Sequence, residues 1–282
     1  MIEAIIFLFG SAIGSFLNVV IFRLETGEGI VKKRSHCVKC GQVLVWYDLI
    51  PIVSFLWLGG KCRKCKEKIS WQYPLVEIAT GLLFILIFWS LGFGAWDFIG
   101  NLSFVISHWV VIGCLLYIVC SLLVIFVYDL RHYIIPDVVL FPAIGVALVY
   151  RLFGVLSFEN LNLFRISDFG FRIWQLFWPY LFSALGASAF FLAIILITRG
   201  KGMGLGDAKL SFLIGLMLGW PNILAALFLA FFIGAIVGVG LILWGKKTMK
   251  SQIPFGPFLI SGTVILLFFG QFFWEWQERI FF

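Results

Sequence analysis

The sequence predicts an all-α polytopic membrane protein with about eight transmembrane helices and a small cytoplasmic four-cysteine insertion that binds metal. Three observations carry this reading. Of 282 residues, 62% are hydrophobic and 12% charged, whereas soluble domains run near half apolar and a quarter charged. With 33 Phe and 12 Trp, too little polar surface remains to cover a globule in water, which excludes a soluble enzyme and a disordered chain. Apolar runs near the length of a bilayer-crossing helix recur along the chain, without the apolar–polar alternation of an outer-membrane barrel. Lys and Arg cluster between alternate runs.

The first run, 3–22, has no basic stretch ahead of it and contains Gly14, Ser15 and Asn18. It therefore reads as a retained helix and not a signal peptide, with its small and polar residues turned to other helices. A basic insertion follows at 24–74. The next spans are 75–92 and 104–128, the latter long enough to tilt or project, then 133–150 and 177–198. The sixth, 210–220, is short. It is divided from the seventh, 222–244, at Trp220-Pro221-Asn222, where Pro stops one helix and can begin another. The eighth is 256–274, and residues 151–176 form a polar outside loop. No internal repeat or low-complexity linker is visible. The expected organisation is a first helix (1–23), the insertion (24–74), two helices (75–128) and a second membrane domain (129–282).

Charge sets the orientation. With the N-terminus outside, the loops 23–74, 129–132, 199–209 and 245–255 face the cytoplasm and carry seventeen of the 21 Lys and Arg. The other side carries Arg151, Arg165, Arg172 and Arg279. This is the positive-inside pattern. The net charge of +7 thus marks cytoplasmic loops meeting membrane lipids, not a nucleic-acid footprint.

The insertion holds Cys37-Val38-Lys39-Cys40 and, after 21 residues, Cys62-Arg63-Lys64-Cys65. A C-x2-C turn converges two thiolates on one ion, and two such turns fill a tetrahedron. The surrounding Lys and Arg favour thiolate over thiol. In so small a domain the metal, zinc or a like ion, supplies much of the folding energy. Structural disulfides are the alternative, and the reducing cytoplasm disfavours them. Four thiolates leave no open position, so the site is structural. Cys114 and Cys120 lie in the third span and read as apolar-like residues.

Two aspartates stand at span ends. Asp129 follows Phe126-Val127-Tyr128, and Asp207 closes Gly202-Met203-Gly204-Leu205-Gly206-Asp207. Ionisable groups at such depth are costly and mostly functional. Two neighbouring carboxylates share a proton: one acts as base on water while the other, protonated, polarises a peptide carbonyl. That is aspartic-protease chemistry. The plainer readings are a helix cap for Asp207, pairing of Asp129 with Arg131 or His132, and a cap for Asp137 in Ile135-Pro136-Asp137. Lys209 reads as an interfacial snorkel or a phosphate-headgroup ligand.

Taken in order, Gly14-Ser15-Phe16-Leu17-Asn18, Arg34-Ser35-His36-Cys37, Asp48-Leu49-Ile50-Pro51, Tyr73-Pro74-Leu75-Val76-Glu77, Ile135-Pro136-Asp137, Gly204-Leu205-Gly206-Asp207-Ala208-Lys209 and Ile253-Pro254-Phe255-Gly256-Pro257 resemble the bacterial type IV prepilin peptidases. These GxGD aspartic proteases are also called leader peptidase/N-methyltransferases. The resemblance spans nearly the whole chain. Val38 stands where the family commonly has Pro, and Gln72 where Arg is common.

The resemblance implies that Asp129 and Asp207 are the catalytic pair, at the cytoplasmic face of the bacterial inner membrane. It implies that the enzyme removes the short basic leader of type IV prepilins or type II secretion pseudopilins. It implies N-methylation of the new N-terminal residue with S-adenosylmethionine. It carries Cys37, Cys40, Cys62 and Cys65 over as metal ligands. Glu77, entering the second span beside the insertion, is the candidate to hold the cofactor's positive charge or the amine, and reads equally as an interhelical hydrogen-bond partner. No G-x-G-x-x-G fingerprint follows a strand.

Two rival classes remain. Presenilin- and signal-peptide-peptidase-type enzymes also pair a Tyr-Asp with a GxGD motif, but lack a four-cysteine insertion. A transporter or assembly-platform protein would show carboxylates near mid-membrane and repeat symmetry, and neither is visible.

Overall fold

The computed structural model describes residues 1–27, 35–90, 102–156, 177–200, 202–245, 248 and 252–281. The described residues are helical, with no strand and only two isolated β-bridges, His36–Val43 and Lys61–Lys68. Among the described residues, five helices are long and apolar enough to cross a bilayer: Ile2–Thr26, Gln72–Ser90, Trp109–His132, Trp178–Ile197 and Asn222–Leu243. Gly256–Gly270 is a shorter apolar stretch. The chain divides into two compact units, Met1–Gly94 and Ala95–Phe282.

In the first unit, helices α1 (Ile2–Thr26) and α3 (Gln72–Ser90) pack along each other. Small residues permit it. A Cβ on Gly14 would lie 2.8 Å from Glu77 Cα, and one on Gly10 2.9 Å from Gly81 Cα. Hydrophobic attraction between helices is absent in lipid, so such close approach and polar ties replace it. Asn18 Nδ2 supplies one tie, donating to the carbonyls of Gly14 (3.3 Å) and Tyr73 (3.1 Å). α1 stops at Gly27, whose φ of +68° ends the helix left-handed. The insertion adds a 3-10 turn at Trp46–Leu49 and a short helix, α2 (Val53–Trp57). Its apolar centre is little more than Phe55, which packs on Trp71 with ring centroids 5.0 Å apart.

The second unit contains α4 (Leu102–His132), α5 (Asp137–Leu156), α6 (Trp178–Ile197), α7 (Leu205–Leu218), α8 (Asn222–Leu243) and α9 (Gly256–Phe281). α7 is the centre, packed by α5, α6, α8 and α9, while α4 packs on α5 and α9. A helix apolar all round is a buried one, and α7 buries Ala208, Leu210, Leu213, Ile214, Leu216 and Met217. Its backbone meets that of α6 closely: a Cβ on Gly215 would lie 2.4 Å from Ala184 Cα. α8 instead exposes Leu224, Phe228, Phe232 and Ile236, a row at helical spacing suited to lipid tails.

The sixth expected span, 210–220, overlaps a 14-residue helix that begins earlier, at Leu205, and ends at Leu218. At about 1.5 Å per residue it is about 21 Å long, short of the roughly 30 Å hydrocarbon core. Its early start comes from Asp207, which closes the first turn on the Gly204 N–H.

Candidate active site and metal centre

Asp129 belongs to the last turn of α4. The chain reverses at Tyr133, which has a φ of +59°, and α5 starts at Asp137 after Pro136. The Asp129 side chain is 4% exposed and accepts the N–H of Gly256, the first residue of α9. The fit is tight, for a Cβ on Gly256 would lie 2.5 Å from Asp129 Oδ2.

Asp207 lies in the first turn of α7, is 9% exposed, and accepts the Gly204 N–H at 3.3 Å. This is the carboxylate half of a capping box, so the cap role expected for Asp207 is realised alongside its burial. Gly204 itself is extended, at φ −86° and ψ 154°. Ile135 joins the two acids' surroundings. A Cβ on Gly206 would lie 3.1 Å from Ile135 Cβ, and one on Gly256 3.6 Å from Ile135 Cδ1. The structure thus sets the residue before Asp207 and the residue whose N–H Asp129 accepts against one side chain, Ile135.

From sequence, Lys209 and Asp137 have separate local roles, as a snorkel and a cap. They form one ion pair, Lys209 Nζ donating to both Asp137 oxygens at 2.8 Å, with Phe141 beneath the ammonium. The pair fastens the start of α5 to the first turn of α7. Both side chains are well exposed, so screening limits its worth to about 0–1 kcal/mol. Lys209→Met should therefore lower thermal stability by less than about 1 kcal/mol, measured by calorimetry. A loss several times larger would mean that the pair is shielded in the membrane-bound protein.

The four cysteines converge. Their Sγ atoms all lie within 4.8 Å of one another, and Cys37 Sγ is 3.9 Å from Cys65 Sγ. Sulfurs placed tetrahedrally at about 2.3 Å from zinc stand about 3.8 Å apart, so the donor set fits such an ion. Two turns build the site, and they repeat each other. Cys37 N–H donates to Gln42 O and Gly41 N–H to Cys37 O. At the same offsets, Cys62 N–H donates to Glu67 O and Lys66 N–H to Cys62 O. Gly41 (φ +68°) and Lys66 (φ +57°) are both left-handed, and the bridges His36–Val43 and Lys61–Lys68 close each turn alike. Beyond the cysteines the two turns share only Lys39 with Lys64, so the repeat is hidden in the sequence.

The N–H groups of Cys65 and Lys64 hold the Cys62 thiol down at about 6. At Cys65 the Glu67 N–H pulls the same way, but desolvation and the neighbouring thiols prevail and push it up to about 11. Lys64 Nζ donates to Gln42 Oε1 across the two turns at 3.1 Å. Arg63 ties the second turn to Asp48, its Nε and a terminal nitrogen lying 3.0 and 2.7 Å from Oδ1.

Glu77 is 7% exposed in α3. Its carboxylate accepts the Ile52 N–H at 2.7 Å and the Ser15 hydroxyl. Ile52 is itself strained: at φ 62° and ψ −51° it sits in a γ-turn in which Pro51 O accepts the Val53 N–H. The interhelical hydrogen-bond role expected for Glu77 is therefore present, extended to the insertion. Ile135 and Gly256 are parts of the Asp129–Asp207 surroundings that their own chemistry did not disclose. Their only signals were the Ile-Pro-Asp and Phe-Gly-Pro triplets.

A profile described as the bacterial peptidase A24 N-terminal domain matches residues 8–91. One described as the type IV leader peptidase family matches residues 115–239. The chain is 32% identical to the prepilin leader peptidase/N-methyltransferase of Pseudomonas aeruginosa, over 94% of this chain and 89% of that protein. It is 32% identical to the Aeromonas hydrophila protein of that name, over 97% and 92% of the two chains. To the Bacillus subtilis one it is 31% identical, over 95% and 94%. No solved structure matches the chain.

Proposed function

The chain belongs to the type IV leader peptidase family, and from that premise we propose that Asp129 and Asp207 are the carboxylates with which it removes the leader of a prepilin. The observation that carries this reading is that two buried acids, from the ends of α4 and α7, are set about one shared side chain, Ile135, which lies beside both Gly206 and Gly256. The enzyme is an inner-membrane endopeptidase and N-methyltransferase. Its substrates are type IV prepilins or type II secretion pseudopilins.

In the proposed reaction a water bound between the carboxylates attacks the scissile carbonyl. The ionised acid takes the water's proton. The protonated acid polarises the carbonyl oxygen, and the acid that took the water's proton passes it to the departing amine as the tetrahedral intermediate collapses. The pair acts as a unit, so its titration belongs to neither residue alone. Backbone N–H groups of Gly256 and Gly204 hold the two side chains. We assign the site to the cytoplasmic face and the N-terminus to the outside, because seventeen of the 21 Lys and Arg fall in the loops this places inside. The substrate's apolar helix then lies in the bilayer, with its basic leader in the cytoplasm and the scissile bond where water reaches.

Cys37, Cys40, Cys62 and Cys65 would hold a structural zinc, its four positions filled by protein. S-adenosylmethionine supplies the methyl group for the exposed amine. Glu77 suits a part in that step by charge: it is a buried acid of the first unit, and its ties to Ile52 and Ser15 fix where that charge sits.

The test is a gel-shift assay in detergent, with purified protein, a prepilin and methyl-labelled S-adenosylmethionine. A shifted band carrying label is expected, and an unshifted prepilin overturns the reading. Metal analysis of the same preparation should find one zinc per chain. A Cys37→Ser, Cys62→Ser variant should hold none, since two thiolates cannot replace four. Full occupancy in that variant would place the metal elsewhere.

A further inference from the structure

We propose that Arg151 and Tyr180 form a clamp that sets the axial position of α7, and through it the place of Asp207 at the opposite end. Both are positioning residues for leader cleavage, and the proposal rests on the reading of Asp207 as a catalytic carboxylate.

The last carbonyls of a helix lack partners within it, and in a bilayer no water stands ready to satisfy them. At the end of α7 one side chain satisfies two of them. Arg151 Nε, from α5, donates to Leu216 O at 2.7 Å, and a terminal guanidinium nitrogen donates to Met217 O. A planar fork on two successive carbonyls fixes direction as well as distance, and its charge meets the negative end of the helix. Tyr180, from α6, lies under the guanidinium with its ring centroid 3.5 Å away; Tyr150 offers a second ring at 5.0 Å. The Tyr180 ring is in turn seated on Gly219. A Cβ there would lie 2.5 Å from Tyr180 Cε1, and φ is +68°. Two neighbouring helices thus grip one end of α7.

The flanks of α7 are apolar: Leu210, Leu213, Ile214 and Leu216. Apolar burial is non-directional, so it holds the helix in place sideways but defines its height poorly. The polar fork supplies that coordinate from within the bundle, where the tie at the other end, Lys209–Asp137, is exposed and weak. From Leu216 to Asp207 the helix runs about 14 Å as a continuous rod, so a slip at the clamp arrives undiminished at the carboxylate. A displacement of about 1 Å at a reacting group can cost about a hundredfold in rate.

Full-length Arg151→Leu, Arg151→Lys, Tyr180→Leu and Tyr180→Phe would be compared with wild type and Asp207→Asn. The readouts are kcat and KM for prepilin cleavage, per mole of folded protein. Arg151→Leu and Tyr180→Leu should lose at least about tenfold in kcat with KM within about threefold. Tyr180→Phe, which keeps the ring, should restore wild-type kcat, and Arg151→Lys should fall between. Arg151→Leu within twofold of wild type in kcat overturns the clamp. Should that variant not fold, equal kcat for Tyr180→Leu and Tyr180→Phe overturns it. Asp207→Asn separates the two readings. If it is inactive while the clamp variants are normal, the clamp alone fails; if it cleaves, the catalytic assignment fails whatever the clamp does.

Discussion

Asp129→Asn and Asp207→Asn are each expected to reduce prepilin cleavage by at least about a thousandfold, within the range that a positioned acid or base contributes. The amide keeps the shape of the carboxyl but can neither take the water's proton nor supply one. Members of a unit are strongly non-additive, so the double variant should be no worse than either single one. Folding provides the control. Asp207 caps α7 through Gly204, and Asn caps nearly as well as Asp, so Asp207→Asn should retain zinc and elute as wild type does. Methylation of a pilin already freed of its leader should continue. The gel-shift assay decides: a variant that cuts at near wild-type rate reduces that aspartate to a cap or a packing group.

Gly256→Ala should cost about a hundredfold in cleavage with little change in stability. The added carbon would sit 2.5 Å from Asp129 Oδ2, well inside van der Waals contact. Either the carboxylate swings away or the start of α9 retreats, taking with it the N–H that Asp129 accepts. Helix propensity favours Ala over Gly by up to about 1 kcal/mol, so thermal stability should hold while activity falls. Gly206→Ala is the matched comparison. Its Cβ would meet Ile135 Cβ at 3.1 Å, an apolar side chain able to give by a few tenths of an ångström, and the loss there should be smaller. Equal activity for Gly256→Ala and wild type would show that the Asp129 carboxylate has room to spare.

Sequence disclosed the acids because an ionisable side chain at the end of an apolar run is conspicuous. The cysteines declared themselves by spacing. What holds these groups was less legible. Ile135 and Gly256 carry no chemistry of their own and matter only through what they touch. Lys209 and Asp137 are 72 residues apart, and each has a plausible local role that hides the tertiary pair. The expected span begins five residues after the start of α7, because Gly204-Leu205-Gly206-Asp207 looks like a flexible approach. Asp207's bond to the Gly204 N–H makes it the first turn instead. The two cysteine turns share a backbone path while differing in side chains, with Lys66 taking the left-handed place that Gly41 takes in its twin.

The shortness of α7 also bears on how the protein is made. Fourteen residues fall short of the roughly 20 that a lone segment needs to partition from the translocon into lipid, and Asp207 makes entry costlier still. Its backbone meets α6 at Gly215 and Ala184, and α6 precedes it in the chain. Biogenesis therefore favours delivery of α6 and α7 as a hairpin. The candidate aspartate then crosses into its final depth already shielded by a neighbour synthesised moments before.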